Sequence, residues 1–230
     1  MKRFVFDTAD TVNVTKMGEG EWSLNLNHQI SCSKVVVSNI IIPHTFYNVN
    51  ESNNEFEIYY NSLTPKKILK FGTQYMKYSD INDITIDDIK FIFNKTTFKF
   101  EVVRENTDIS GIKFTTSYKL FGFEKNKLYD LNNGKIDAPN VADFNSIPAI
   151  YIRCNQIHSK FVYNNNRTSI LHRLPVDKPF GNLLIYQNNS TDMFINQDNI
   201  GYLQFSLTDN KGQHINLNGA DWKIELILID

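Results

Sequence analysis

Residues 35–42 read Val-Val-Val-Ser-Asn-Ile-Ile-Ile, and this nearly continuous apolar run decides the fold. β-Branched residues favour strands because their side chains pack well on a pleated surface. Pro43 and His44 close the run. A short run without polar alternation is typical of a strand that is covered on both faces. We therefore expect a second sheet on one side of this strand, and a loop or a neighbouring subunit on the other.

The segments around this run alternate apolar and polar residues, as half-buried strands do. Trp22, Leu24 and Leu26 share one face, with Ser23 and Asn25 between them. Further strands are predicted at residues 56–60, 90–93, 98–102, 149–157, 169–175, 182–187, 201–208 and 222–229. Many short strands separated by turn residues indicate a sandwich or barrel. The predicted fold is all-β: a single jelly-roll β-sandwich of two packed antiparallel sheets.

One or two short helices interrupt the strands. Residues 117–123 favour a short helix that ends at Gly122, because glycine tolerates the left-handed conformation of a helix C-cap. Residues 79–89 favour a helical turn followed by a strand, and residues 124–147 are predicted to form a long polar surface loop.

The composition fits one globular domain. Hydrophobic residues make up 41% of the 230 residues and charged residues 21%, and the 17 Phe, 11 Tyr and 2 Trp suit pleated surfaces. Residues 1–230 are predicted to be a single domain, with residues 1–20 as an N-terminal arm or an edge strand. We predict no signal peptide and no membrane span, because no stretch approaches the ~20 apolar residues that a span requires.

Net charge is −1, and the basic residues are scattered. Nucleic-acid binding that does not depend on sequence needs a clustered basic surface, so no specific nucleic-acid partner is predicted. Lys66, Lys67 and Lys70 are the nearest candidate, and we interpret them as a solvated face. Cys32 and Cys154 are interpreted as buried free thiols in a reducing compartment, with a disulfide as the alternative.

Motifs for catalysis are absent from the sequence: it has no glycine-rich phosphate loop, no nucleophile elbow and no His-Glu-x-x-His. The histidines lack ligand spacing: His28, His44, His158, His172 and His214. Two carboxylate pairs, Asp7 with Asp10 and Asp87 with Asp88, are interpreted as turn and cap residues rather than calcium ligands. Asp80 with Asp83 fits the first turn of a helix, where negative charge is favoured. We predict no catalytic residue, no metal ligand and no cofactor, and hence not an enzyme.

Several motifs follow one another in an order that resembles a known family. They are residues 21–26 (Glu-Trp-Ser-Leu-Asn-Leu), 42–49 (Ile-Pro-His-Thr-Phe-Tyr-Asn-Val), 120–123 (Leu-Phe-Gly-Phe), 138–143 (Ala-Pro-Asn-Val-Ala-Asp), 151–155 (Tyr-Ile-Arg-Cys-Asn), 170–176 (Ile-Leu-His-Arg-Leu-Pro-Val), 179–181 (Pro-Phe-Gly), 209–212 (Asp-Asn-Lys-Gly) and 218–222 (Asn-Gly-Ala-Asp-Trp). Together they resemble the penton (minor capsid) proteins of virophages and Polinton-type viruses.

This resemblance implies one jelly roll per subunit, a homopentamer at each fivefold vertex of an icosahedral virion, and contacts with hexamers of a double-jelly-roll major capsid protein. The predicted lack of a signal peptide and a membrane span leads us to expect synthesis in the host cytoplasm. The first 20 residues depart from the longer N-terminal arm of that family. Asn-rich segments at residues 48–54, 164–166 and 188–189 are either an exposed rim of the pentamer or ordinary solvated turns.

Two other functions remain open on the same fold, since jelly rolls support many functions. One is a receptor- or glycan-binding module of a virion. The other is a metal-dependent enzyme of the cupin class.

Overall fold

The computed structural model of the chain describes residues 2–30, 34–61, 66–78, 83–157, 162–163, 166–167, 169–187, 192–194 and 200–229. Its strands in chain order are β1 (Lys2–Asp7), β2 (Val14–Gly18), β3 (Glu21–Ile30), β4 (Lys34–Pro43), β5 (Glu55–Tyr60), β6 (Lys67–Lys70), β7 (Ile84–Ile86), β8 (Ile89–Asn94), β9 (Lys99–Arg104), β10 (Ile109–Phe114), β11 (Leu128–Asp130), β12 (Lys135–Asp137), β13 (Ala149–Cys154), β14 (Val162–Tyr163), β15 (Asn166–Arg167), β16 (Ile170–Pro175), β17 (Leu183–Gln187), β18 (Asp192–Phe194), β19 (Ile200–Thr208) and β20 (Lys223–Ile229). The described residues contain one helix, α1 (Tyr118–Phe121), which is too short to cross a bilayer.

The chain divides into two compact units. Unit 1 comprises Met1–Phe46 and Ile147–Asp230, and unit 2 comprises Tyr47–Ser146. The prediction of an all-β protein with antiparallel sheets is confirmed. The predicted pair of packed sheets describes unit 1. The residues of unit 2 form a second pair of sheets with its own core. Whether residues 1–230 unfold as one domain stays a prediction.

Unit 1 is an antiparallel sandwich of two five-stranded sheets. Sheet 1 has the order β1-β20-β4-β17, with β18 also paired to β4, and sheet 2 has the order β16-β13-β19-β3-β2. Inward-facing side chains of both sheets form one core, in which Phe6 lies 4.5 Å from Phe205 and 5.0 Å from Trp222 between ring centroids. β1 and β2 lie at the edges of sheet 1 and sheet 2.

Unit 2 contains two four-stranded sheets, β11-β10-β5-β6 and β12-β9-β8-β7. Its core is rich in phenylalanine, including Phe56, Phe91, Phe100 and Phe114. Such rings contribute a large buried apolar area and attract one another edge to face. The strands predicted at residues 90–93 and 98–102 are present as β8 and β9, which pair antiparallel.

Helix α1 is present as predicted and ends at Gly122, which has a φ of 77°. A Cβ on Gly122 would lie 2.2 Å from the carbonyl oxygen of Asn140, so only glycine fits there. The polar segment 124–147 contains the short strands β11 and β12 in addition to loop. The strand predicted within residues 79–89 is β7, whereas the helical turn predicted before it falls largely outside the described residues.

Candidate assembly surface

The outer face of sheet 1 carries apolar side chains where a solvated sheet would carry polar ones. Leu183 and Ile185 on β17 are 50% and 55% exposed, and Val5 on β1 is 57% exposed. Ile41 on β4 lies directly opposite Ile185 and is half-buried. Leu183, Ile185 and Ile41 cluster at the β17 edge, whereas Val5 lies at the opposite edge of the sheet. Clustered exposed apolar side chains mark sites of interaction. We call this outer face the sheet 1 face.

The apolar run of β4 explains how this face arises. Val35 and Val37 point into the core of unit 1, whereas Val36 is 6% exposed and lies outside that core cluster, opposite Ile227. The register shifts at Ser38, whose hydroxyl donates to the carbonyl oxygen of Glu225 at 3.3 Å. The run therefore supplies apolar side chains to both faces of the sheet, as the sequence predicts.

The outer face of sheet 2 differs sharply in chemistry. Its cross-strand neighbours are Tyr202 with Asn25, Gln204 with Ser23, and Ser206 with Arg153. This is the polar pattern of a solvated sheet face. Unit 1 thus has a mainly polar outer face on sheet 2, with Tyr202 as an exposed aromatic residue, and an outer face on sheet 1 where exposed aliphatic side chains lie beside ion pairs. We take the sheet 1 face as the candidate for contact with protein.

Charged groups on the sheet 1 face are paired with one another. The Nε of Arg3 lies 2.6 Å from a carboxylate oxygen of Glu225, and the Nζ of Lys223 lies 2.5 Å from one of Asp7. Pairing within the subunit lowers the cost of covering a charge, which is high for an isolated ion. These pairs allow the surrounding apolar side chains to be buried against a partner.

Two histidines are structural parts of unit 1. The Nδ1 of His44 lies 2.7 Å from the carbonyl oxygen of Lys178, and its ring contacts Phe46 at 4.5 Å. The ring of His172 lies 3.7 Å from that of Tyr186. Burial lowers the pKa of both histidines below the usual value, so both are neutral at pH 7.

The remaining sequence candidates do not come together as a metal site. His28 and His214 are exposed, and His158 falls outside the described residues. No group of three or more His, Cys, Asp or Glu side chains within the described part of the chain is arranged to hold a metal ion.

The paired carboxylates hold turns and neighbouring strands. Asp10 accepts the backbone N–H of Val12 at 3.0 Å, and this hydrogen bonding, with a further bond from the Asn13 side chain, lowers the pKa of Asp10. Asp87 pairs with Lys67 at 2.9 Å, and Asp88 accepts from the Asn106 amide at 3.1 Å. Asp83 pairs with Lys90 at 3.0 Å, while Asp80 lies outside the described residues.

Glu57 is a buried carboxylate that the sequence analysis missed. Its side chain is 7% exposed on β5, where it pairs with Lys66 at 2.6 Å and Lys113 at 2.5 Å and accepts from the hydroxyl of Tyr59 at 2.7 Å. Burial raises its pKa, but these hydrogen bonds outweigh burial and hold the pKa at about 2. The outward position of Glu57 between Phe56 and Ile58 was the only signal in the sequence.

Cys154 is a buried cysteine outside any disulfide. Burial raises the pKa of its thiol to about 12, so the thiol stays protonated and unreactive. Cys32 lies outside the described residues. The two ends of the Asn-rich segment 48–54 are not an exposed rim, because Asn48 and Asn54 are both buried. The segment 188–189 and most of 164–166 lie outside the described residues.

A cleft of about 190 Å³ opens beside β2 in unit 1. The indole of Trp22 and the side chains of Thr11, Lys16 and Asp221 line part of it. The hydroxyl of Thr8, also in the lining, already donates to Asp221 at 2.9 Å. This volume is below the roughly 300 Å³ at which ligand pockets usually begin, and Trp22 is largely buried in the core of unit 1.

No family model and no curated protein matches the chain. Among solved structures, the chain is similar to the penton protein of mavirus, with 14% sequence identity and a TM-score of 0.47 over 99% of this chain and 100% of that one. Penton proteins are also the class that the sequence motifs resemble. At this low identity and TM-score, the function is proposed from the chain's own residues.

Proposed function

We propose that this chain is a structural protein of an icosahedral capsid: a penton subunit that forms homopentamers at the fivefold vertices. It contacts hexamers of the major capsid protein there, and it reaches the virion after synthesis in the host cytoplasm. The ordered motifs of the sequence support the family. The observation that carries the assembly role is the cluster of exposed aliphatic side chains at the β17 edge of the sheet 1 face, beside charges that are already paired within the subunit.

A cyclic pentamer is closed by heterologous contacts, in which one surface of each subunit meets a different surface of the next. The centre of such an interface is depleted in charge, with polar groups at the rim. The sheet 1 face meets this requirement, because Leu183, Ile185 and Ile41 lie on one side of the paired charges of Asp7 and Lys223. Packing of these side chains, rather than ion pairs, holds the pentamer.

In this chain, side chains of types that often act in catalysis make structural contacts instead. His44 supports the segment that contains Lys178, and Glu57 ties β5 to β10. Cys154 has a raised pKa and lies in the core. We therefore assign the chain no catalytic role and no cofactor.

Sedimentation velocity of the purified chain tests the proposal. We expect a species of five times the 26.7 kDa subunit mass, in equilibrium with monomer. Ile185→Glu places a charge among apolar neighbours and shifts this equilibrium to monomer. Tyr202→Glu, at an exposed position on sheet 2, is the matched control and keeps the pentamer. A dimer or trimer, or a pentamer that Ile185→Glu leaves intact, would contradict the proposal.

The second candidate function is a glycan-binding module of a virion, for which the cleft beside β2 is the site to test. Glycan screening separates the two functions, with Lys16→Ala and Thr11→Ala as variants of the cleft lining. Sugar binding that these variants abolish, on a chain that stays monomeric at high concentration, would favour the glycan-binding function. If no sugar binds, the glycan-binding function is wrong and the capsid proposal stands.

A further inference from the structure

Sheet 1 of unit 1 ends on each side in a strand whose outer edge pairs with no other strand in the described ranges. β1 lies at one end of the path β1-β20-β4-β17, and β17 lies at the other. An edge strand carries a row of backbone N–H and C=O groups that can pair with a strand of another chain, and natural sheets protect such rows with charges, prolines or β-bulges. The edges of unit 1 differ in this protection.

The edge at β17 has none of these protective features. Residues 183–187 read Leu-Leu-Ile-Tyr-Gln, without a charge or a proline, and their pairing with β4 has no register shift. Both edges of sheet 2 are protected, since β2 carries Lys16 and a register shift, and β16 carries Arg173 and Pro175. β17 therefore has the features of an edge that accepts an added strand.

The edge at β1 carries charges, but these charges pair across the sheet. Arg3 pairs with Glu225 of β20 at 2.6 Å, and Asp7 pairs with Lys223 of β20 at 2.5 Å. Val5 lies between Arg3 and Asp7 and is 57% exposed. Because the charges on either side of Val5 have partners within the subunit, this edge can be covered without leaving an isolated ion.

The backbone groups of Val5 point away from sheet 1. In an antiparallel pair, residues that bond to the partner strand alternate with residues whose N–H and C=O point to the other side. The N–H of Thr8 donates to the carbonyl oxygen of Trp222 at 3.1 Å, and the pairing of β1 with β20 has no register shift. The alternation therefore directs Thr8 and Phe6 toward β20 and Val5 toward the open edge. Phe6 is in the core, so the Val5 side chain lies on the outer face.

Ile185 occupies the equivalent position on β17. The N–H of His44 donates to the carbonyl oxygen of Asn182 at 2.8 Å, so the same alternation directs Leu184 toward β4 and Ile185 toward the open edge. Leu184 is in the core, which places the Ile185 side chain on the outer face. Each edge thus presents an exposed aliphatic residue whose backbone groups are available for pairing.

The path of sheet 1 has four antiparallel strands, and an even number lets the pattern continue from one copy to the next. β1 and β17 run in opposite directions, so β17 of one copy and β1 of a second copy meet as antiparallel neighbours. Val5 and Ile185 share the outer face, so pairing them keeps the core-facing side chains of both copies on the same side. With an odd number of strands, the outward-bonding residues of the two edges would lie on opposite faces.

We propose that β17 of one copy pairs with β1 of a second copy, with Ile185 directly opposite Val5. This inference rests on the proposed pentamer and names the strands that join its subunits. Two different edges meet, as the heterologous contacts of a cyclic assembly require. Backbone hydrogen bonds join the strands, and the exposed aliphatic side chains of the two edges cover each other.

Disulfide cross-linking of the full chain tests this pairing. Opposite residues of a hydrogen-bonded pair have Cα atoms about 5.5 Å apart, which is within the range of a disulfide. We expect mild oxidation of Val5→Cys/Ile185→Cys to link up to five subunits on a non-reducing gel. A mixture of the two single variants should give linked pairs only, because each subunit then has one engineered cysteine. Every variant also carries Cys32→Ser, and the other native cysteine, Cys154, is buried.

Gln187→Pro tests the backbone contribution without changing the aliphatic cluster. Gln187 is exposed, and its N–H points to the added strand, two residues beyond that of Ile185. Proline is tolerated where the N–H of an edge strand faces away from the sheet, so thermal unfolding of the monomer should be nearly unchanged. We expect the protein concentration at which half of the chain is assembled to rise about tenfold. Lys16→Pro, at an exposed position of the edge strand β2, is the matched control and leaves assembly unchanged.

Three results would overturn the strand pairing while the pentamer stands. One is a Val5→Cys/Ile185→Cys variant that sediments as a pentamer yet forms no cross-links. The second is equal cross-linking by Val5→Cys/Tyr202→Cys, since Tyr202 is an exposed residue of sheet 2. The third is a pentamer that Gln187→Pro leaves unchanged. A wild-type chain that stays monomeric at high concentration contradicts the proposed function itself, and the strand pairing fails with it.

Discussion

Asn48 is a single buried amide that joins three segments of unit 2. Its Nδ2 donates to the carbonyl oxygens of Met76 at 2.7 Å and Phe144 at 2.8 Å, and its Oδ1 accepts the N–H of Met76 at 2.8 Å. Asn48→Ala leaves three buried backbone groups without partners, and we expect a loss of about 3 kcal/mol in the free energy of unfolding. Chemical denaturation measures it. Asn133→Ala, in an exposed turn, should be neutral.

At Phe98, backbone strain and burial of the ring make opposite and similar contributions to the free energy of unfolding. Phe98 has a φ of 55°, and this left-handed conformation costs about 1–2 kcal/mol for a bulky residue, while burial of roughly half of a phenylalanine ring returns about 1–1.5 kcal/mol. Phe98→Asn removes both terms, because asparagine tolerates this conformation, so its expected effect on stability is small. A loss of about 3 kcal/mol or more in the free energy of unfolding would show that the packing of Phe98 against Tyr78 and Phe93 dominates.

At the scale of the element, alternation located most strands because it reports directly which residues face a core. The strand pattern of Trp22, Leu24 and Leu26 appears in β3, and that of residues 149–157 in β13. β10 was missed, since Ser110 and Gly111 break the alternation and β10 carries a register shift between Ile109 and Gly111. β11 and β12 are three residues each, too short for a periodic signal.

The candidate assembly surface was predictable only in part. The apolar run of residues 35–42 correctly indicated that both faces of one strand are apolar. Its neighbours on that face come from β1, β17 and β20, which lie far apart in the sequence. Sequence periodicity does not report strand order, so the combination of Val5, Ile41 and Ile185 on one face required the structure. The buried ion pairs of Glu57 were missed for the same reason. Its partners are Lys113 on β10 and Lys66, and the sequence does not show that they meet on β5.

The two units should respond differently to acid. Burial holds the pKa of His44 and His172 in unit 1 below 6.5, so the unfolded chain binds protons more readily and unit 1 loses stability as pH falls through 6.5. Glu57 in unit 2 has a pKa lowered from 4.5 to about 2, so its contribution is present above pH 4.5 and is lost as pH falls toward 2.

Thermal unfolding measured from pH 7.5 down to pH 3 checks this order. Unit 1 should weaken first, and His172→Phe should reduce that acid sensitivity, because a phenyl ring can keep the contact with Tyr186 without binding a proton. A stability that is flat from pH 7.5 to pH 5, or a His172→Phe variant with unchanged acid sensitivity, would contradict the assignment.

At the scale of the whole molecule, unit 2 is inserted into the chain of unit 1. The hydroxyl of Ser146 donates to the carbonyl oxygen of Asn48 at 2.8 Å, so the ends of the insertion lie side by side. None of the described residues between 47 and 146 belongs to the core cluster of unit 1. We therefore expect a chain in which a short Gly/Ser linker replaces residues 47–146 to fold, as insertions with adjacent ends often allow.

Circular dichroism and calorimetry of this shortened chain test the expectation. A cooperative transition with a β-sheet spectrum would show that unit 1 folds alone. Failure to fold, together with a single calorimetric transition for the full chain, would instead support the sequence-based prediction of one domain over residues 1–230.

The central claim is that the sheet 1 face is covered by a neighbouring subunit. A cryo-electron microscopy map of the vertex of an assembled particle tests it most directly. We predict five copies of the chain around the axis, with Leu183, Ile185 and Val5 of each copy buried against the next one. Density that shows these side chains facing solvent, or the polar face of sheet 2 in their place at the contact, would contradict the account.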